Sequence, residues 1–135
     1  MLLQKSFECA TSSDSSIAIG ECAMGTGVVT GYRNTALGFG AMCNLTSGNY
    51  NFAAGQNALA ASTTGAHNVA IGYYALGLGV VTGSHNLAIG PQAADQVSCG
   101  EINIVIGLHA ASDLTSGCMN IFLGCNAACS VTTGK

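Results

Sequence analysis

The chain has 135 residues, of which 49% are hydrophobic and only 7% are charged, and its formal net charge is −3. This length fits one domain, and a surface with so few charges must be largely covered, most simply by association with other subunits. Three basic residues argue against nucleic-acid binding. No run approaches the ~18 apolar residues of a membrane span, so we expect no membrane insertion.

A repeat of 17 or 18 residues fills the chain from residue 14 to residue 134. The first glycine of each unit closes a short apolar run, and the second follows at the same intervals: Gly20, Gly38, Gly55, Gly72, Gly90, Gly107 and Gly124, then Gly31, Gly48, Gly65, Gly83, Gly100, Gly117 and Gly134. Two frames in phase indicate seven tandem units. We therefore predict an N-terminal cap or connector over residues 1–13 and a seven-coil solenoid over residues 14–135.

Each apolar run alternates between larger aliphatic residues and a small one. In the first unit Ile17 and Ile19 flank Ala18, and the other units follow the same pattern with few changes. Residues two apart share one face of a strand, so both faces are apolar and both need cover. We expect the larger aliphatic residues to point into the coil and the alanines to face a neighbouring subunit.

The fold class predicted from the repeat is all-β, a parallel β-solenoid of seven 17- to 18-residue coils. Frequent glycines and β-branched clusters leave no stretch suited to a helix. We expect two or three short strands in each coil, stacked at ~4.8 Å, with glycines at positive-φ corners. One asparagine in each of six units would form a structural ladder, in which each amide bonds the coil above or below: Asn34, Asn51, Asn68, Asn86, Asn103 and Asn120.

Three segments carry a family resemblance. They are Arg33-Asn34-Thr35-Ala36-Leu37-Gly38, His67-Asn68-Val69-Ala70-Ile71-Gly72 and His85-Asn86-Leu87-Ala88-Ile89-Gly90. Together with their in-phase copies over residues 14–134, they resemble the head repeats of trimeric autotransporter adhesins and the repeats of phage and large-virus tail fibres. The resemblance implies a left-handed β-roll or β-helix, a homotrimer and a role in surface attachment. The present units are longer than the adhesin repeats.

The seven cysteines scatter over different positions of the repeat, without the fixed spacings of a disulfide framework or a zinc site. Thiols of this kind favour assembly in a reducing cytosol. The adhesin heads of this resemblance are typically poor in cysteine. The N-terminal residues 1–5 lack the apolar core of a signal peptide. We therefore favour a viral or phage fibre over a bacterial adhesin, displayed on a virion or another extracellular surface.

Two sets of side chains are candidates for a receptor surface. Arg33, Tyr50, His67 and His85 occupy one position on successive coils. The two imidazoles make this set a weak candidate for a metal, and a solvated or subunit-facing column without a ligand is the alternative. Tyr73 and Tyr74 form the second set, because aromatic surfaces suit sugars, although turn packing or trimer contact explains them as well. No cofactor is expected.

The acidic residues are too dispersed for catalysis: Glu8, Asp14, Glu21, Asp95, Glu101 and Asp113 do not pair at a fixed position of the coil. We therefore expect no enzyme, although some viral fibre solenoids cleave glycans. The favoured function is an attachment fibre with a cell-surface glycan or receptor as partner. The alternatives are a self-assembling filament or virion component that joins end to end, and an ice-binding solenoid rich in Thr and Ala.

Overall fold

The computed structural model describes residues 15–25 and 28–134. These residues form seven strands of three residues each: β1 (Ile17–Ile19), β2 (Thr35–Leu37), β3 (Phe52–Ala54), β4 (Val69–Ile71), β5 (Leu87–Ile89), β6 (Ile104–Ile106) and β7 (Ile121–Leu123). All pair in parallel and in chain order within one sheet, so about six turns stack as a β-solenoid. The predicted all-β parallel solenoid is confirmed. The predicted cap over residues 1–13 lies outside the described residues.

The register places equivalent repeat positions directly above one another. Ala53 of β3 pairs with Ala70 of β4, and Ala70 pairs in turn with Ala88 of β5. The extra residue of an 18-residue unit therefore does not disturb the sheet. In the unit of β4 the lengthened turn carries Leu78 and Val80, both exposed. The insertion is absorbed as an outward bulge, far along the coil from the strand.

The prediction of two or three strands per coil is wrong for the described residues, where each coil contributes one strand to the sheet. The rest of the coil turns too often for a second strand. In the coil of β4, His67, Tyr74 and Leu76 have φ of 57°, 53° and 49°, and Gly72 has φ of 132°. Each left-handed residue redirects the chain. The turns still bond the next coil, since Leu76 N donates to Ala93 O at 3.1 Å.

The two glycines of the repeat serve different purposes. Gly72 combines a φ of +132° with a close approach, because a Cβ there would lie 2.6 Å from Gly90 O. Gly65 has no positive φ, yet a Cβ there would lie 2.7 Å from Gly83 O. The expectation of positive-φ corners therefore holds for the first glycine and fails for the second. The second glycine is needed only because successive backbones pack closely.

The predicted orientation of the strands is wrong. The middle residue points inward, with Ala36, Ala53 and Ala70 each fully buried, whereas Ile17 and Ile19 remain 52% and 44% exposed. The reason is the narrow interior, which is already occupied by buried residues of the turns, such as Ala75, Leu76 and Val81. An interior packed to normal density leaves room for a methyl group from the strand and no more.

Side-chain volume is partly balanced across the interior from coil to coil. The turn residue four after the first glycine is large in the first four coils and small afterwards: Met24, Met42, Leu59 and Leu76, then Ala94, Ala111 and Ala128. The inward strand residue becomes larger one coil later, since it is alanine in β1 to β5, Val105 in β6 and Phe122 in β7. In the coils of β6 and β7 the larger strand residue offsets the small turn residue, whereas the coil of β5 has alanine at both positions.

Candidate functional site

The largest candidate surface is the outward side of the sheet. We call it the outer apolar face and define it as the first and third residues of every strand: Ile17, Ile19, Thr35, Leu37, Phe52, Ala54, Val69, Ile71, Leu87, Ile89, Ile104, Ile106, Ile121 and Leu123. All but Thr35 are apolar, none is charged, and all are half-buried or exposed. Seven strands of three residues span roughly 29 Å by 10 Å.

The outer apolar face continues past the strands. The residue after the first glycine is an exposed apolar side chain in several coils, with Phe39 at 51%, Tyr73 at 47% and Leu108 at 44% exposure. Tyr73 packs edge-on against the half-buried Tyr74, with ring centroids 4.7 Å apart at 84°. The predicted pair Tyr73 and Tyr74 therefore borders the outer apolar face. It belongs with that face and lies at the opposite end of the strands from Arg33, Tyr50, His67 and His85.

We call the set Arg33, Tyr50, His67 and His85 the ring column. Each residue stands two positions before its strand, has φ between 57° and 63°, and is exposed. The left-handed conformation recurs because this corner needs it, and lateral bonds hold it, such as His67 N to Asn49 O at 3.0 Å. The structure therefore brings together in space the four residues that the repeat spacing placed in one column.

Aromatic contacts join the ring column over successive coils. The Tyr50 and His67 rings stack with centroids 4.7 Å apart at 9°, and the His67 and His85 rings with centroids 4.8 Å apart at 3°. Arg33 Nη1 donates to Tyr50 Oη at 2.8 Å, and the guanidinium carbon lies 5.4 Å from the Tyr50 ring centroid. Tyr32 meets Tyr50 edge-on at 5.5 Å. The spacing of the repeat predicted the column. It did not predict these ring contacts or the contact of Tyr32 with Tyr50.

Stacking decides which chemistry the ring column offers. The ring faces between Tyr50, His67 and His85 are covered by one another, so it is mainly ring edges that reach solvent. The His67 and His85 rings are parallel to within 3°, so their nitrogens lie in two parallel planes. A metal ion needs ligand lone pairs that converge on one point. In the described part of the chain, no group of three or more His, Cys, Asp or Glu residues is placed to hold a metal.

The asparagines lie inside the coil next to the ring column. Asn86 illustrates the pattern: its Nδ2 donates to Gly100 O at 2.7 Å and to Asn68 Oδ1 at 3.1 Å, and its Oδ1 accepts from Asn103 N at 3.1 Å. The side chain is only 3% exposed. The amide N–H donors and the carbonyl acceptor of Asn86 are therefore all hydrogen-bonded, as is required of a buried polar group. The asparagines are thus structural and hold the corner on which the ring column stands.

One buried acid was not recognised as unusual from the sequence. Asp95 is 4% exposed, and its Oδ1 has no hydrogen-bond partner. Burial raises the pKa of this carboxyl, while the nearby His109 acts to lower it and Asp113 to raise it. The position five after the first glycine carries no shared residue type in the other units, so the repeat offered no signal for it.

Comparisons of the chain with protein-family models, with curated proteins and with solved structures find no match. Within the described residues, no helix has the length and apolar character needed to cross a membrane. Cys22, Cys99, Cys118, Cys125 and Cys129 are free thiols. What the chain does must therefore be argued from the outer apolar face and the ring column.

Proposed function

We propose that the chain is a segment of an attachment fibre, most consistent with a virus or phage, and that it is assembled in a reducing cytosol and displayed on a virion or another extracellular surface. In this proposal three copies of a left-handed solenoid form a homotrimeric rod that presents the ring column to a host glycan or receptor, and the chain has no catalytic role. One observation carries it: within residues 15–25 and 28–134 the solenoid leaves an apolar sheet face exposed or half-buried along all seven strands.

A second copy of the chain is the occupant that fits this face best. The strand area alone is roughly 300 Å², which matches the largest apolar patch of a typical monomer, and such patches are often functional. The side chains after the glycine, including Phe39 and Tyr73, enlarge it. No residue of β1 to β7 is charged, so a charged partner would gain nothing there. Copies related by a symmetry axis offer the same apolar rows to each other, as in most homo-oligomers.

The test is the mass of the assembly in solution by light scattering. The double variant Ile71→Lys with Ile89→Lys places two charges in the middle of the outer apolar face, and we expect it to be a monomer. The matched control, Thr64→Lys with Thr82→Lys, puts the same charges on exposed residues of another corner and stays trimeric. A monomeric native chain, or a trimeric Ile71→Lys, Ile89→Lys protein, would contradict the proposal.

End-to-end assembly into a filament or virion component is the second candidate. Its support is the regular parallel pairing of β1 to β7, in which each three-residue strand accepts the next in the same register. An open parallel edge pairs readily with another strand. Electron microscopy at increasing protein concentration tests this candidate, since end-to-end contacts give particles whose length grows with concentration.

Ice binding has weaker support. The hydroxyls of the Thr and Ser corner are used within the solenoid: Thr46 Oγ1 donates to Thr63 O at 2.9 Å, and Thr115 Oγ1 to Thr132 O at 3.1 Å. In the unit of β4 the row is interrupted by the buried Val81. A hydroxyl bound to a backbone carbonyl is less available to water, so thermal hysteresis is not expected.

A further inference from the structure

We propose that the exposed edge of the ring column binds an acidic saccharide, whose carboxylate or sulfate group bridges His67 and His85 and whose neighbouring groups reach Arg33 and Tyr50. The inference rests on the proposed function and deepens it, since it names the chemical class of the receptor. It follows from the charge of the column, from the stacking of its exposed rings and from the polar side chains beside it.

Arg33 supplies the positive charge. Of the three basic residues, Lys5 and Lys135 fall outside the described residues, and Arg33 stands at the end of the ring column. Its Nη1 is held by Tyr50 Oη, and the Tyr50 ring supports the guanidinium from 5.4 Å. A guanidinium has five N–H donors, so the bond to Tyr50 leaves others facing solvent. Orienting the group in advance lowers the entropy cost of binding an oxyanion.

The two imidazoles fit an oxyanion better than a cation. Every imidazole carries at least one N–H, and the rings of His67 and His85 are parallel with centroids 4.8 Å apart. Where both rings turn an N–H to the exposed edge, the two groups can donate to two oxygens of one carboxylate or sulfate. A zinc site would need further ligands, and in the described part of the chain no group of three or more His, Cys, Asp or Glu residues is placed to supply them. The stacked pair therefore fits an anion better than a metal ion.

The surroundings favour a saccharide over a nucleic acid. The net charge of the chain is −3, whereas nucleic-acid binding depends on many cationic contacts to phosphates. Bases also need open ring faces on which to stack, and the faces of this column are covered. A saccharide instead offers hydroxyls, which suit Tyr50 Oη and the donors of Asn49 and Ser84. Asn49 Oδ1 and Ser84 Oγ already accept from Tyr32 N and Ala66 N, so the amide N–H groups and the hydroxyl proton are what these two side chains offer. Glu101 occupies the same repeat position as Ser84, one coil further along. Its negative charge repels an anion and so marks the end of the proposed binding site.

The experiment uses the full chain and titrates it with sialyllactose, with lactose as the uncharged control and inorganic sulfate as the free oxyanion. Chemical shifts of the imidazole and guanidinium protons report the position of binding. The variants are Arg33→Asn and His67→Asn, because asparagine tolerates the left-handed backbone at these positions. The matched control is His109→Asn, which has the same change at a residue with φ of 51° on another corner.

We expect sialyllactose to shift the signals of His67, His85 and Arg33, and to bind at least about tenfold more tightly than lactose or sulfate. Arg33→Asn and His67→Asn should each weaken it about tenfold, and His109→Asn should leave it unchanged. Equal binding by lactose, equal binding by sulfate, or no effect of Arg33→Asn would each overturn the inference. So would tighter binding of a single-stranded oligonucleotide at the same residues. If the native chain is a monomer and still binds sialyllactose, the proposed trimer is wrong but the saccharide site stands.

Discussion

Asn34 Oδ1 accepts hydrogen bonds from both the backbone N–H and the side-chain Nδ2 of Asn51, at 2.9 Å and 3.2 Å. The relationship recurs along the stack, with Asn86 N and Nδ2 bonding Asn68 Oδ1 at 2.9 Å and 3.1 Å. Asn51 thereby connects three coils, because its Nδ2 bonds Asn34 of the coil before and its Oδ1 accepts from Asn68 N of the coil after, while Nδ2 also donates to Gly65 O at the end of its own unit. This is how a thin solenoid with few large core residues keeps one register.

Replacing one of these asparagines is expected to lower the free energy of unfolding by far more than the size of the side chain indicates. In Asn86→Ala, Gly100 O and Asn103 N lose their partner inside the coil. Unsatisfied buried groups cost roughly 1–3 kcal/mol each, so we expect a loss of about 3 kcal/mol in the free energy of unfolding. Urea denaturation at one fixed protein concentration measures it, because association shifts apparent stability.

Asn86→Asp separates hydrogen bonding from packing. The carboxylate has the same shape but no donor, and it would face Gly100 O and Asn68 Oδ1, so it should destabilise at least as much as alanine at pH 7. Thr64→Ala, on an exposed corner, is the control and should change stability by less than about 0.5 kcal/mol. If Asn86→Ala resembled the control, the amides would not hold the stack.

The close approach of successive coils at the first glycine is tested by a matched pair. Gly72 and Gly124 have φ of +132° and +116°, but a Cβ at Gly72 would lie 2.6 Å from Gly90 O, whereas nothing lies within 4 Å at Gly124. Gly124→Ala should cost the backbone strain alone, roughly 2 kcal/mol. Gly72→Ala should cost at least roughly 4 kcal/mol, since the backbone of the next coil must move.

Thermal unfolding followed by circular dichroism measures both glycine variants. The difference between them is the quantity of interest, because the strain of a positive φ is common to both. Equal losses in the two variants would mean that the coils do not approach each other as closely at Gly72 as the structure shows.

The inward orientation of the strand alanines predicts opposite behaviour for neighbouring residues. Ala70 is fully buried and Ile71 is 37% exposed. Ala70→Leu should destabilise the fold by about 1–3 kcal/mol, because it overpacks a filled interior. Ile71→Ala should cost less than about 1 kcal/mol in an isolated chain while weakening self-association. Denaturation and light scattering on both variants measure these effects, and the reverse pattern would restore the orientation predicted from the sequence.

That orientation shows where prediction from the sequence reached its limit. Two glycines in phase indicate a solenoid, and strand periodicity separates Ala70 from its neighbours Val69 and Ile71. Periodicity does not say which face is inside when both are apolar. The answer depends on how much interior volume the turns already fill, through residues such as Leu76 and Val81, and that is a property of the closed coil.

The candidate site was likewise predictable only in part from the sequence. Spacing of 17 and 18 residues was enough to align Tyr50, His67 and His85, since residues one repeat apart must stack in a solenoid. The parallel rings and the bond from Arg33 to Tyr50 depend on side-chain rotamers, which a repeat does not determine. Asp95 was missed because its burial comes from the surrounding coils and not from a recurring residue type.

Asp95 predicts an unusual dependence of stability on pH. Its folded-state pKa is raised, so the protonated form is favoured in the fold, and the stability it contributes is present below the unfolded value of about 3.9. That contribution is lost as the pH rises through the folded pKa. Asp95→Asn should therefore be more stable than the native chain at pH 7, and the advantage should shrink towards pH 4.

Urea denaturation of both proteins at pH 7 and pH 4 measures the effect of Asp95. Glu101→Gln, at an exposed carboxyl on another part of the coil, is the control and should show little change at either pH. An advantage of Asp95→Asn that is the same at both pH values would mean that ionisation of the carboxyl is not its cause.

Zinc titration tests the geometry of the ring column without any saccharide. The His67 and His85 rings stack parallel to within 3°, and in the described part of the chain they belong to no group of three or more possible ligands, so zinc at pH 7 should leave the melting temperature unchanged. A ligand that binds only the folded state at 100 times its Kd would add about 2.7 kcal/mol, a shift of several degrees. A rise that disappears in His67→Asn but persists in His109→Asn would show that the imidazoles converge on a metal, and would remove the basis for preferring an anion.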